Sequence, residues 1–259
     1  YQNPQLPDYG RIGMVVSPEK LAGEIGLDML KQGGNAIDAA VATGFALAVT
    51  LPRAGNLGGG GFMLVHLAES DEQIFIDYRE TAPAGASRDM FLNADGTVNK
   101  AKAYFSRQAA GVPGTVAGLI HAQTQYGKLP LATVIQPAID LAEQGFDTPL
   151  ALHMSLTSRA ERLAMDPEAK RIYLQGTAKA PAPGALFKQP DLARTLQRIR
   201  DKGHDGFYGG ETAALIAADM AANDGLITTD DLASYRALER SPVRGTFKEF
   251  EIVSVAPPS

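Results

Sequence analysis

The sequence predicts an α+β chain in which a sheet is covered by helices. Short apolar runs with strand character stand early, at 11–16, 62–67 and 73–78, and again late, at 250–255. Between them lie segments with helical spacing of apolar residues, at 116–126, 131–144, 150–164, 190–202 and 210–223. Glycine and proline mark many of the borders, most densely at Gly58, Gly59, Gly60 and Gly61. Strands at both ends with helices between them imply that the last strand returns to the sheet of the first.

The elements follow in chain order. The run 11–16 reads as a strand. Ser17-Pro18 reads as a helix start, because a serine hydroxyl accepts from an early backbone N–H and proline is tolerated at the first helical position. Leu21, Ile25, Leu27, Met29 and Leu30 supply an apolar face, and Gly33-Gly34 ends that helix. Asn35 opens a second helix, with Asp38 three residues on as a variant of the capping box. This helix is apolar nearly all round, so it is expected to be buried on every side until Pro52 closes it. The runs 62–67 and 73–78 are joined by Glu69-Ser70-Asp71-Glu72, which favours a hairpin. A short helix is expected at 230–235, introduced by Thr228-Thr229. The Pro/Ala stretch 178–184 is the best place for a mobile connection.

Composition excludes several functions. The net charge of −5 is spread along the 259 residues without a basic run, so no nucleic-acid partner is expected. An anionic substrate then needs a local positive group. Cysteine is absent, which removes disulfides, thiolate nucleophiles and cysteine-ligated zinc, and fits an exported bacterial protein. The opening 1–10 lacks a basic end followed by an apolar core, so it is no intact signal peptide, though it suits the remnant of one. The longest apolar stretch, 39–51, is too short to span a bilayer, so membrane insertion is not expected. His66, His121, His153 and His204 show no metal-binding spacing, and no metal site is expected. His66 reads as a partly buried strand residue and His204 as an exposed loop residue.

The glycine run is no nucleotide loop. A dinucleotide fingerprint needs a strand before the glycines and a helix after them, and here the order is reversed. Two readings remain open: a tight bend between a buried helix and a sheet, or backbone kept free of side chains beside a reacting centre. Arg79 follows at the end of an apolar strand. It suits either a salt bridge with Glu80 or Asp77, or a planar donor fork for a ligand carboxylate.

Longer blocks identify a resemblance: GGNAIDAAVA at 33–42, AGNLGGGGFML at 54–64, DYRETAPAGASRDMF at 77–91, GVPGTVAG at 111–118, GLITTDDLASY at 225–235 and VAPPS at 255–259. Together they resemble the large subunit of bacterial γ-glutamyltranspeptidases over nearly the whole chain. The resemblance implies an N-terminal-nucleophile hydrolase αββα sandwich, completed by a small subunit cut from the same precursor. Residues 1–259 then form a single-domain portion of the large subunit, with its C-terminal part missing. The implied reaction is γ-glutamyl transfer and hydrolysis, from glutathione or another γ-glutamyl donor to an amino acid, a peptide or water. It proceeds through a glutamyl-threonine intermediate and needs no cofactor. The nucleophilic threonine belongs to the small subunit, so no catalytic residue lies in this chain. Arg79 stands at the family's carboxylate-binding arginine, while Gly58, Gly59, Gly60 and Gly61 stay candidates for backbone near the site on their lack of side chains. A periplasmic or secreted location follows from the family.

One position departs from the pattern. Arg53 stands where relatives carry glutamine; it reads either as a solvated surface arginine or as a modifier of acceptor or leaving-group preference. Two alternatives accompany the main reading. A cephalosporin acylase of the same family would use Arg79 on a glutaryl carboxylate, and a non-catalytic homologue or fragment would use it on nothing. Without its complement the chain is expected to leave sheet and apolar surface exposed.

Overall fold

The computed structural model describes residues 9–257. The polar opening 1–8 and the last two residues of the 255–259 block, Pro258 and Ser259, lie outside the described residues. The helical layer is built first. α1 (Lys20–Lys31) packs on α2 (Ala36–Thr50), which is buried along most of its length from Ile37 to Thr50. Asn35 caps α2: its side chain accepts from Ile37 and Asp38, and the Asp38 carboxylate accepts from the Asn35 N–H at 2.7 Å. The capping box expected from the sequence is therefore formed.

Asp38 does more than cap. Its side chain is fully buried and accepts from Gln123 at 2.6 Å, from the Leu129 N–H at 2.9 Å and from the Lys128 N–H at 3.1 Å. Burial pushes the carboxyl up, but the bonds from Gln123, Leu129, Asn35 and Lys128 outweigh it and hold Asp38 below the usual carboxylate range. Asp38 thereby ties α2 to the turn between α4 (Thr115–Tyr126) and α5 (Leu131–Gln144).

The sheet holds β1 (Phe62–Leu67), β2 (Glu72–Asp77) and β5 (Leu238–Arg240), antiparallel in the order β1-β2-β5. Val65 pairs with Ile74, Phe62 with Asp77, and Asp77 in turn with Leu238. Ile74, Phe75 and Ile76 are consecutive and all buried, so β2 is covered on both faces. The hairpin expected at 62–78 is thus present, with one more strand beside it.

Smaller elements fill the remainder: α3 (Lys100–Phe105), β3 (Phe146–Asp147), α6 (Leu150–Thr157), α7 (Ala160–Leu163), α8 (Pro167–Tyr173), β4 (Leu186–Phe187), α9 (Pro190–Lys202), α10 (Asp205–Tyr208), α11 (Gly210–Ala222), α12 (Thr229–Ser234), β6 (Val243–Phe247) and β7 (Phe250–Ser254). α5 packs on both α2 and α9, which extends the core away from the sheet.

Several expectations are corrected. Residues 11–16 form no strand; Ile12, Met14 and Val16 are exposed, and no described strand lies alongside to take their hydrogen bonds. Ser17 does not cap α1. Its hydroxyl accepts from the Glu19 N–H at 3.3 Å, and the Glu19 carboxylate caps the helix through Leu21 and Ala22. The last strand does not rejoin the first sheet. Among the described residues β7 pairs only with β6, because a tight hairpin through Lys248 offers a nearer partner, and β5 takes the place beside β2. The segment 150–164 breaks into α6 and α7 at Ser158, whose hydroxyl bonds back to the Ser155 carbonyl at 2.8 Å. The stretch 178–184 is tied down: Gly184 donates to the Thr148 carbonyl at 3.0 Å, and His153 Nδ1 lies 2.8 Å from the Pro181 carbonyl oxygen. His66 is exposed, 3.1 Å from the Gln73 amide. The β6–β7 hairpin shows Val243, Phe247, Phe250 and Ile252 to solvent, the kind of apolar surface the sequence led one to expect.

Candidate functional site

The site is built at the end of β2. The ladder continues one pair past the strand: Tyr78 donates to the Gly61 carbonyl at 3.0 Å and Gly61 to the Tyr78 carbonyl at 3.3 Å. Arg79 is the next residue, exposed at the sheet rim. Asp77 prepares its direction. One Asp77 oxygen accepts from the Arg79 N–H at 3.1 Å, and the other pairs with Arg240 of β5 at 2.8 Å. The Asp77 carboxylate thus joins Arg240 of β5 to the Arg79 N–H.

The other side of the Arg79 peptide is held by a residue far along the chain. The Tyr235 hydroxyl donates to the Arg79 carbonyl at 2.8 Å. Tyr235 is buried, and its ring stacks on Tyr208 at 5.6 Å between centroids and 8° between planes. Tyr208 stacks in turn on His204 at 4.4 Å and 21°. His204 Nε2 lies 3.2 Å from the Tyr235 carbonyl oxygen, so His204 is half-buried in this stack and not the exposed loop residue expected. The Tyr208 hydroxyl donates to the Pro113 carbonyl at 2.8 Å and accepts from the Ala117 N–H at 3.2 Å. Burial pushes both phenols above their ordinary range, so they stay protonated and able to donate.

The segment after Arg79 is fixed at several points. Thr81 and Val112 exchange backbone bonds at 3.3 and 2.8 Å. The Ala84 N–H donates to Asp231 at 2.8 Å. Asp231 is itself the second half of a capping box with Thr228 at the start of α12. The two blocks at 77–91 and 225–235 therefore meet in space.

The glycine run lies against the same segment. A Cβ at Gly60 would stand 2.5 Å from the Tyr78 carbonyl oxygen, 2.7 Å from the Glu80 nitrogen and 2.9 Å from the Arg79 Cα. All three are backbone atoms, so only glycine allows this approach. Gly114 is in the same position, since its Cβ would collide with the Tyr78 carbonyl and the Tyr235 hydroxyl. The Gly59 carbonyl accepts from Gly114 at 2.7 Å and Thr115 at 2.9 Å, which satisfies early N–H groups of α4. Gly58 faces open space. With Gly59 it lines a cavity of about 970 Å³ that Arg171, Tyr173 and Gln189 also line. Arg53 is exposed beside this stretch.

Among the described residues, no group of three or more His, Asp or Glu side chains is placed to hold a metal ion. Among the described residues, no helix is long and apolar enough to cross a membrane. Sequence reasoning named Arg79 and its neighbour Asp77 but missed Tyr235, which bonds the Arg79 carbonyl, and Arg240, which pairs with Asp77. The signal available was slight: the Thr-x-x-Asp spacing at 228–231 marks a helix start and says nothing of what that helix will hold.

Residues 22–259 match the family described as Gamma-glutamyltranspeptidase. The glutathione hydrolase proenzyme of Escherichia coli (strain K12) is 44% identical over 253 residues, covering 98% of this chain and 43% of that relative. The acylase ACY 1 proenzyme of Pseudomonas sp. (strain SE83) is 40% identical over 259 residues, covering 98% of this chain and 46% of that relative. The crystal structure of Helicobacter pylori gamma-glutamyltranspeptidase superposes with a TM-score of 0.95 at 44% identity, covering 98% of this chain and 72% of that one. The chain thus spans less than half the length of these two curated relatives.

Proposed function

The chain belongs to the gamma-glutamyltranspeptidase family, and from that membership we propose that it is the carboxylate-gripping portion of an enzyme for γ-glutamyl transfer and hydrolysis. The observation that carries this reading is the placing of Arg79. It leaves the end of a buried strand at an open rim, with its peptide held on both sides. A guanidinium at such a rim meets a donor's α-carboxylate with two parallel hydrogen bonds. Its role is recognition and orientation, not proton transfer.

The chemistry itself falls to the complementary small subunit, released from the same precursor and carrying an N-terminal threonine. Its hydroxyl attacks the γ-amide carbonyl, the amine leaves, and the glutamyl-threonine ester is resolved by water or by the amine of an amino acid or peptide. The donor is glutathione or another γ-glutamyl amide, and no step calls for a cofactor. Residues 1–259 serve as one domain of the large subunit, whose later part and partner complete the sandwich. Export to the periplasm or beyond belongs to the same reading, and the lack of cysteine supports it.

Two measurements test this. Mass spectrometry of the mature full-length product should resolve two chains, the second beginning with threonine. In that enzyme, Arg79→Ala should weaken γ-glutamyl anilide use by about 2–5 kcal/mol, the loss expected for one member of a desolvated charge pair. Unchanged hydrolysis would refute the assignment. The acylase relatives give a second reading a specific footing. Arg79 would hold a glutaryl carboxylate as well, so a glutaryl anilide is the comparison substrate; preference for it over the γ-glutamyl one would transfer the reading to acylase chemistry.

A further inference from the structure

The β1–β2 ladder ends at the Gly61–Tyr78 pair, so the Arg79 carbonyl lies just past the last strand partner. The Tyr235 hydroxyl fills that place at 2.8 Å. Asp77 accepts the N–H of the same residue at 3.1 Å. We infer that Tyr235 is a positioning residue for the carboxylate-binding arginine, clamping the Arg79 backbone against Asp77 and so fixing the direction in which the guanidinium leaves the rim. This rests on the role proposed above for Arg79.

The hydroxyl itself is fixed from several sides. The Tyr235 ring is buried and lies almost parallel to the Tyr208 ring. Its own carbonyl oxygen is 3.2 Å from His204 Nε2, so both ends of the residue are anchored. Room for the oxygen exists because Gly114 carries no Cβ, which would collide with it. A buried phenol needs a partner for its O–H. The partner here is not the nearest helix but the one carbonyl that sets the frame of Arg79. Rotation about that backbone would swing a long side chain through several ångströms, and misplacement on that scale is costly to binding and rate.

The test uses the complete, processed enzyme and two donors: γ-glutamyl-p-nitroanilide and 4-aminobutyryl-p-nitroanilide, which lacks the α-carboxylate. Tyr235→Phe keeps the ring and removes the hydroxyl. It should raise KM for the γ-glutamyl donor about tenfold, the worth of one good hydrogen bond, with kcat little changed. KM for the 4-aminobutyryl donor should stay as it was, and in an Arg79→Ala background the substitution should add nothing. Tyr208→Phe, which removes an equally buried hydroxyl not bonded to Arg79, should lower the melting temperature and keep the donor preference. If Arg79→Ala treats both donors alike, the reading of Arg79 itself fails. If Arg79→Ala is selective and Tyr235→Phe affects both donors equally, or only the melting temperature, the clamp is overturned while Arg79 stands. Should Tyr235→Phe not mature, Asp77→Ala removes the acceptor on the N–H side of the same residue, and full retention of donor preference there also overturns the clamp.

Discussion

Gly60 lies against the backbone of Arg79 so closely that a methyl group on it would sit 2.9 Å from the Arg79 Cα. The glycine run and the arginine are therefore one structural unit, and the first prediction concerns it. Gly60→Ala must push the Tyr78–Glu80 backbone aside, which costs about 1–3 kcal/mol in a well-packed setting. It should also lower kcat/KM for γ-glutamyl donors. Gly58→Ala meets nothing within 4 Å and should stay within about 0.5 kcal/mol of the parent. Thermal melts and donor kinetics on the two variants decide. Equal behaviour would mean that the close approach at Gly60 is relieved without moving Arg79.

Asp38 supplies a pH-dependent prediction. Its carboxyl is held below the usual range, because the hydrogen bonds it accepts outweigh the opposing effect of burial. A carboxyl with a depressed folded-state value contributes stability that is fully present above the unfolded value of about 4 and is lost as pH falls through the folded value. Asp38→Asn should cost about 3 kcal/mol near pH 7, since an amide cannot accept at both positions and leaves buried donors unmet. That gap should narrow below pH 4. Denaturant titrations of both proteins at several pH values give the comparison, and a gap that does not change with pH would contradict it.

At the alkaline end the sign reverses. Tyr126 is pushed up to about 12, first by burial and then by its 2.5 Å bond to Glu239, and Tyr208 and Tyr235 are raised as well. A phenol raised in the folded state contributes stability that is complete below its unfolded value of about 10 and lost as pH rises through the folded value. Absorbance at the phenolate band should therefore show Tyr126 ionising late, with its midpoint near pH 12. Ionisation of Tyr208 and Tyr235 should coincide with unfolding. Smooth titration of all the tyrosines near pH 10 in a folded protein would exclude this.

Arg53 yields a negative prediction. Its side chain is exposed beside the cavity that Gly58 and Gly59 line, and it is not among the lining residues. Arg53→Gln should alter neither the melting temperature nor the acceptor profile of the complete enzyme. A changed acceptor order would revive the view that this charge tunes the leaving or accepting amine.

Legibility in the sequence followed the range of the interactions. The α2 cap, the β1–β2 hairpin and the helices Leu131–Gln144 and Pro190–Lys202 depend on neighbours within a few turns, and each was readable. The strand expected at 11–16 was not formed, because a short apolar run records a preference for burial and not the presence of a partner strand. Arg79 could be picked out by its place after an apolar run and by the resemblance of its block. Its supports could not. Tyr235 is 156 residues away and Arg240 is 163 from Asp77, and nothing in either local sequence says what will stand opposite. His204 was misjudged for the same reason: a loop position says nothing about an aromatic ring arriving to stack on it.

The Asp77 carboxylate joins Arg240 on one oxygen to the Arg79 N–H on the other. This has a consequence for biosynthesis. A chain emerging from the ribosome makes its glycine run and hairpin early, from residues that are close in sequence. The groups that bond the Arg79 carbonyl and Asp77, Tyr235 and Arg240, are translated about 160 residues later, roughly ten seconds or more at ordinary elongation rates. Until β5 docks, Asp77 has no Arg240 to pair with, and the Arg79 carbonyl has no Tyr235 hydroxyl to accept from. The hydrogen-bonded frame around the Arg79 backbone is thus among the last features this segment acquires as it is made.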